Sequence, residues 1–135
     1  MAALSPEQWE WITRPHVPGQ PARHVAELSE ALDSELLRAN VWRYEPGAAG
    51  LRHRHRRQEE IYLVLEGTLT VYLGEPPTAL EVPRHGTVSV APGTPVQSAN
   101  HGSDDLLVAA FGAPPEEESS ELLPSALPGE GESGP

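Results

Sequence analysis

From residue 36 onward, apolar and polar positions alternate in short runs. "LLRANVWRY", "EIYLVLEG" and "TLTVYLG" are rich in β-branched and aromatic residues, have the length of a strand, and end at Gly or Pro. Five further runs also have about the length of a strand and are bounded by Gly or Pro: "LRHRHR", "ALEVPRHG", "TVSVAPG", "VQSANHG" and "LLVAAFG". Short strands at this regular spacing predict an all-β sandwich or barrel over residues 36–113.

The N-terminal segment, residues 1–35, gives mixed signals and is predicted to be an extension. "LSPEQWEWI" fits a short helix capped by Ser5 with Pro6 in its first turn, but Trp9 and Trp11 alternate as in a strand, and both alternatives stay open. The proline-rich "TRPHVPGQPARH" predicts a loop. "VAELSEALDSE" predicts one or two helical turns.

The C-terminal segment, residues 114–135, is rich in Pro, Gly, Ser and Glu. It offers little apolar area to offset the entropy of ordering it. We therefore expect an acidic tail, within which "ELLPSAL" docks locally.

Composition limits the class of protein. A chain of 135 residues suits one domain, and a net charge of -11 argues against a nucleic-acid or anionic-membrane partner. The absence of cysteine excludes disulfides, thiolate metal sites and cysteine nucleophiles. No apolar run approaches ~18 residues and no signal peptide is evident, so we expect a soluble, cytoplasmic protein.

The stretch "GLRHRHRRQEEIYLVLEG" places two histidines among arginines. On a strand, His53 and His55 share one face, while Arg52, Arg54 and Arg56 point the opposite way, to solvent or a neighbouring sheet. Imidazoles ~7 Å apart along one face, at ~3.3 Å rise per residue, can bind one metal ion. Alternatively, the histidines are polar strand residues in a basic patch, and the following acids pair with the arginines.

A carboxylate from the next antiparallel strand would complete a set of two histidines and one acid, which suits Fe, Mn, Zn or Ni. Glu59 and Glu60 are both placed for this role. They have opposite parity, and the strand pattern alone does not decide between them.

The spacing of this stretch resembles the first motif of the cupin superfamily. Gly47 is followed by five residues, then His53, Arg54 and His55, four residues, Glu60, six residues, and Gly67. The resemblance covers roughly residues 36–111 and implies an antiparallel jelly-roll barrel of the small single-domain type. It also implies that Glu60 is the acid and that the three side chains bind a divalent metal.

The second cupin motif matches less closely. Aligning Gly93 and Asn100 with its Gly and Asn places Val96 at the position where metal-binding cupins carry a fourth ligand, a histidine. We prefer this register because it keeps both residues. It predicts a metal site without a protein nitrogen at position 96.

A register shifted by one residue, anchored on Gly86 and Pro92, places Gln97 at the ligand position and His101 at the Asn. Either side chain could replace the missing ligand through a local shift or a bulge. His101 also fits an exposed turn residue in "NHGSDD", as His85 does in "PRHG".

The resemblance implies two classes of function. One is a metal-dependent enzyme, an oxygenase or isomerase acting on a small organic molecule. The other is a non-catalytic module that binds a sugar or organic acid with a degenerate metal site. Tyr62 could act as a general acid or fill the core. Trp42 and Tyr44, or else Arg43, should face the cavity.

Small cupins usually form homodimers, and the outer face of one strand carries Ile61, Leu63 and Leu65. We therefore predict an isologous homodimer. Because a metal binds neutral imidazole, its affinity should fall as the pH drops through ~6.5.

Overall fold

The computed structural model describes residues 3–14, 20–116 and 120–127. Within them lie a 3₁₀ helix, Pro6–Gln8, one helical turn, α1 (Leu28–Ala31), and eleven strands. The strands are β1 (Trp11–Arg14), β2 (Arg23–Glu27), β3 (Arg38–Tyr44), β4 (His53–Arg54), β5 (Glu59–Glu66), β6 (Leu69–Leu73), β7 (Thr78–Val82), β8 (Thr87–Val90), β9 (Val96–Ala99), β10 (Leu106–Ala113) and β11 (Glu121–Leu122). None of the helices in these ranges is long and apolar enough to cross a membrane.

The strands form two antiparallel sheets. Six strands follow the order β1-β2-β3-β10-β5-β8, and five follow β11-β4-β9-β6-β7. The second sheet joins strands that are far apart in sequence, as in a jelly roll. The predicted all-β, jelly-roll architecture is confirmed.

The apolar core lies between the sheets and follows the two-residue period of the strands. On β5, Tyr62 and Val64 are buried, whereas Ile61, which precedes them on the opposite face, is 51 % exposed. From the second sheet, Leu69 and Val71 are fully buried against them. Burial of one such side chain contributes about 1.5–3 kcal/mol, so this alternation fixes which face of β5 points inward.

The segment before residue 36 contributes two strands to the larger sheet. Its beginning shows both features that the pattern left open, because the capped Pro6–Gln8 turn precedes strand β1. β2 pairs with β1 and β3, with Arg23 opposite Tyr44. The predicted helical turn is α1, but residues 25–27 of "VAELSEALDSE" and residues 23–24 of the predicted loop form strand β2, because they pair with β1 and β3.

The tail residues 120–127 dock on the second sheet. β11 pairs with β4, placing Leu122 opposite His53, and Leu127 is buried. The buried Gln97 amide donates to Ser125 Oγ (3.1 Å) and accepts from the Ala126 N–H (2.7 Å). The local docking predicted for "ELLPSAL" is confirmed.

Candidate metal centre

The two histidines lie at β4: His53 is its first residue, and His55 directly follows its last. His53 pairs with Val96 on β9, and His55 follows the strand, its backbone carbonyl accepting a hydrogen bond from the Gly93 N–H (2.7 Å). Gly93 has φ +81°, which favours glycine, so the β8–β9 turn fixes this contact. The imidazole rings lie 5.0 Å apart, nearly perpendicular.

The third group of the cluster comes from β5. Glu60 is on the inward face with Tyr62, whereas Glu59 is exposed, which agrees with the choice of Glu60. One ligand atom from each of His53, His55 and Glu60 lies within 4.8 Å of the other two, so the group could hold a metal ion. Among the described His, Asp and Glu residues, this is the one such cluster.

Hydrogen bonding prepares His53 as a ligand. Its Nδ1 lies 3.0 Å from the Leu51 carbonyl oxygen, which can only accept, so Nδ1 carries the proton and Nε2 keeps its lone pair. Burial lowers the pKa of His53, which favours the neutral imidazole that binds metal. This tautomer and charge fit a divalent cation.

His55 has an acid near each ring nitrogen, but Nδ1 makes no hydrogen bond within the described residues. Its Nε2 lies 3.3 Å from Glu60 Oε1, and its Nδ1 lies 3.6 Å from Glu116 Oε2. Hydrogen bonding to Glu60 raises the pKa of His55 above its ordinary value, against the effect of burial. In the absence of metal, this imidazole therefore retains a proton more strongly than His53 does.

Glu116, at the start of the acidic tail, was not singled out from the sequence. Its buried carboxylate accepts hydrogen bonds from three successive backbone N–H groups, those of Arg56 (3.1 Å), Arg57 and Gln58 (2.7 Å). Burial opposes ionisation, but these donors hold the pKa of Glu116 below its usual value. Nothing in the local sequence distinguishes Glu116 from the acids that follow it.

The position of the usual fourth ligand is apolar. Val96 is fully buried in the core cluster beside His53. Gln97 points to the opposite face of β9 and binds the Gly50 carbonyl and the tail. His101 is exposed and hydrogen-bonds Tyr72 Oη (2.8 Å). The two candidate replacements therefore lie outside the cluster, because each is already used elsewhere.

A cavity of about 250 Å³ opens beside the three ligand candidates. Trp42 and Tyr44 line it, as one of the two registers for β3 predicts. Arg43 points to the outer face, over the Trp11 ring and 3.6 Å from Asp105. The arginines that do line the cavity are Arg23 and Arg38. Neither was singled out from the sequence, although Arg38 has the parity of Trp42 and Tyr44 on β3.

The three arginines at positions 52, 54 and 56 differ in their burial and in their partners. Arg54 pairs with Glu121 in a partly exposed contact, and Arg56 is exposed. Arg52, however, is 6 % exposed and donates to the Gly74 carbonyl (3.0 Å) and Glu75 (3.1 Å). Of the two surroundings expected for these arginines, solvent or a neighbouring sheet, solvent is wrong for Arg52, because the β6–β7 turn covers it.

Tyr62 lies in the cavity wall and donates a hydrogen bond from Oη to Glu60 Oε1 (3.1 Å). Burial, and then the Glu60 charge, raise the pKa of Tyr62 well above its ordinary value. The hydroxyl therefore stays protonated and orients the Glu60 carboxylate. Both of its predicted roles, packing and proton donation, remain compatible with this position.

The fold and this cluster together define a cupin. A profile of the cupin domain matches residues 40–111, and the chain belongs to the cupin family. No curated protein matches the sequence closely enough to count as a relative.

Solved structures show the same fold. A sugar phosphate isomerase of the cupin superfamily from Silicibacter pomeroyi is 23 % identical, with a TM-score of 0.71 over 84 % of this chain and 76 % of that one. The polyketide cyclase RemF from Streptomyces resistomycificus is 16 % identical, with a TM-score of 0.76 over 91 % and 85 %. A predicted oxalate decarboxylase from Thermotoga maritima is 18 % identical, with a TM-score of 0.71 over 82 % and 97 %. At these identities, the likeness concerns the fold alone.

Proposed function

We propose that the protein is a metal-dependent cupin enzyme that acts on a small organic molecule with oxygenase-like or isomerase-like chemistry. The observation that carries the proposal is the cluster of His53, His55 and Glu60 at the wall of a cavity. Their two imidazoles and one carboxylate would hold Mn, Fe, Ni or Zn and leave positions open for substrate. A bound metal would supply a Lewis acid or, if redox-active, activate oxygen.

The chain's own groups would do the rest. The Leu51 carbonyl keeps Nε2 of His53 available, and Tyr62 keeps the Glu60 carboxylate oriented. The cavity wall of Trp42 and Tyr44 would exclude water around an organic substrate. Tyr62 lies beside the cluster and would be the chain's candidate proton donor to a substrate oxygen, although its raised pKa opposes the transfer.

The second candidate is a non-catalytic module that binds a sugar or an organic acid, and the buried Val96 favours it. A cluster with three protein ligands instead of four should bind metal less tightly. Under this alternative, the cavity would retain its ligand without turnover.

We further propose that the protein works as a cytoplasmic homodimer. Ile61 on β5 and Phe111 on β10 are partners across the sheet and are 51 % and 42 % exposed. An apolar pair on an open sheet face suits an isologous contact.

Turnover assays with protein purified without a tag would separate the two classes. The protein, stripped with a chelator and then reloaded with Mn, Fe, Ni or Zn, would be given organic acids while oxygen uptake is recorded, and sugars or sugar phosphates while isomers are followed by NMR. Turnover that requires the metal and disappears in Glu60→Gln supports the enzyme. Saturable binding without turnover, in protein that holds metal, contradicts it in favour of the binding module.

A further inference from the structure

The cavity is basic in a protein that is acidic. The chain has 20 acids against nine arginines, yet the charged residues of the cavity wall, apart from the histidines, are Arg23, Arg38 and Glu60. A divalent metal on the cluster would add two positive charges to this balance. The cavity would then be strongly positive and would attract an anion.

Arg38 differs from three of the other arginines that lie on β-strands. Arg14, Arg43 and Arg54 each have a carboxylate partner, namely Glu27, Asp105 and Glu121. No carboxylate of the described residues forms an ion pair with Arg38, although it is half-buried and lines the cavity. A guanidinium that has lost part of its water without gaining an acid is ready to bind one.

The register of the sheet places Arg38 beside the metal cluster. Arg38 lies opposite Gly112, which in turn lies opposite Glu60, so one strand separates the two. Gly112 contributes no side chain, and Gln58 fills the space above it, with its amide nitrogen 3.5 Å from His55 Nε2. An acidic group bound here would meet the Arg38 fork and the amide within reach of the cluster.

Arg23 supplies positive charge at the other end. It lies opposite Tyr44, six residues along β3 from Arg38, and its guanidinium stacks on the Trp42 ring at 4.9 Å. Stacking fixes its orientation at the cavity wall. The two arginines therefore lie at different points along β3, Arg38 on it and Arg23 on the adjacent β2, in the wall of the same cavity.

We propose that the cavity's ligand is a small organic anion whose carboxylate or phosphate group binds Arg38. This proposal deepens the proposed function and rests on it for the metal. The size of the cavity agrees, because about 250 Å³ lies below the roughly 300–1,000 Å³ of sites that take drug-sized molecules. Arg23 would attract a second acidic group or orient a polar end of the same molecule.

Isothermal titration of the full, tag-free protein with three probes tests the proposal. Malonate presents carboxylates, inorganic phosphate presents a phosphate, and malonamide is the neutral counterpart of malonate. We expect one of the two anions to bind at least about tenfold more tightly than malonamide, since charge-assisted hydrogen bonds contribute about 1.5–3 kcal/mol each. The tighter anion identifies the acidic group.

Three variants decide the role of Arg38. Arg38→Gln should weaken the preferred anion about tenfold or more, and Arg38→Lys should restore part of the affinity because it keeps the charge but not the fork. Arg43→Gln is the matched control, on the same strand but the opposite face, and should bind within about twofold of the wild type. An unchanged affinity in Arg38→Gln, or failure of both anions to bind, overturns the proposal.

Repeating the titrations after chelation separates this inference from the proposed function. If the protein holds no metal and its anion affinity still depends on Arg38, the anion site is supported and the metal-dependent function is contradicted. Metal binding without any effect of Arg38 on anion affinity supports the metal centre and contradicts the anion site.

Discussion

At the scale of single residues, the two faces of β4 and its flanking residues explain why imidazoles and arginines alternate over residues 52–56. His53 and His55 turn toward the cavity, and Arg54 turns toward the tail. Parity alone predicts this division. It cannot predict that Arg52 is buried, because the turn that covers it comes from residues more than twenty positions later.

The same scale shows the limits of the motif. Glu60 follows from spacing, and Val96 at the fourth position follows from the register that keeps Asn100, which is buried and binds the Tyr44 carbonyl (2.9 Å). Glu116 could not be predicted, since its role depends on a chain reversal that brings it to the β4–β5 turn.

Restoring a ligand at position 96 should tighten metal binding. We expect Val96→His to raise the affinity for Ni or Zn at least about tenfold by adding an imidazole beside His53. Because Val96 is fully buried, the larger side chain should lower the stability of metal-free protein by about 1–3 kcal/mol. Titration and urea unfolding measure the two effects, and Val96→Leu controls for size. Equal metal affinity in both variants would contradict the placement.

Metal affinity should fall with pH in two stages. Because Glu60 raises the pKa of His55, the first proton to compete with metal should bind above the ordinary value of ~6.5. Burial lowers the pKa of His53, so its proton should compete only at lower pH. Metal titrations from about pH 8 down to about pH 5 should show one proton competing with each metal ion at first, and two protons at lower pH. A single loss centred on ~6.5 would contradict this order.

At the scale of elements, the strands were the predictable part. Eight short runs in the sequence predicted strands β3 to β10, because a sheet with one buried face requires a two-residue period. β2 was missed, since "VAELSE" also fits a helix and only pairing with β3 decides between them. β11 is two residues long and depends on β4, so no local pattern indicates it.

Glu116 connects the tail to the candidate metal centre, because its carboxylate lies 3.6 Å from His55 Nδ1. Glu116→Gln should weaken metal binding about tenfold, at the low end of the 10–100-fold typical for groups that orient a ligand. The charge beside His55 is lost, and the turn at residues 56–58 loses its anionic acceptor. Glu121→Gln is the control in the same tail, because it removes only the partly exposed pair with Arg54. If both variants bind metal equally well, Glu116 serves the turn alone.

At the scale of the whole molecule, the proposed homodimer would use the outer face of the larger sheet, which carries Ile61 and Phe111. We expect light scattering to find a dimer at micromolar concentration, and Ile61→Glu to give a monomer by placing a charge in the apolar contact. Leu36→Glu is the control, since Leu36 is 86 % exposed and lies outside the sheet. A monomeric wild type, or a dimer unchanged in Ile61→Glu, would contradict this interface.

The overall fold was predictable because the alternation and the motif spacing agree with each other. The chemistry of the cavity was predictable only in part: Arg38 has the parity of Trp42 and Tyr44 on β3, whereas Arg23 comes from β2, whose pairing with β3 the sequence does not reveal. The motif in the sequence and the structure both bring His53, His55 and Glu60 together, and the proposed function depends on this cluster.

Metal analysis by plasma emission spectrometry tests that cluster most directly. Tag-free protein, incubated separately with Mn, Fe, Ni and Zn and freed of unbound ions, should retain one ion per chain of at least one metal. His55→Ala should retain none, and Arg54→Ala, one residue away on the opposite face, should match the wild type. Wild-type protein that retains none of the four metals, or His55→Ala that retains as much as the wild type, would contradict the metal centre.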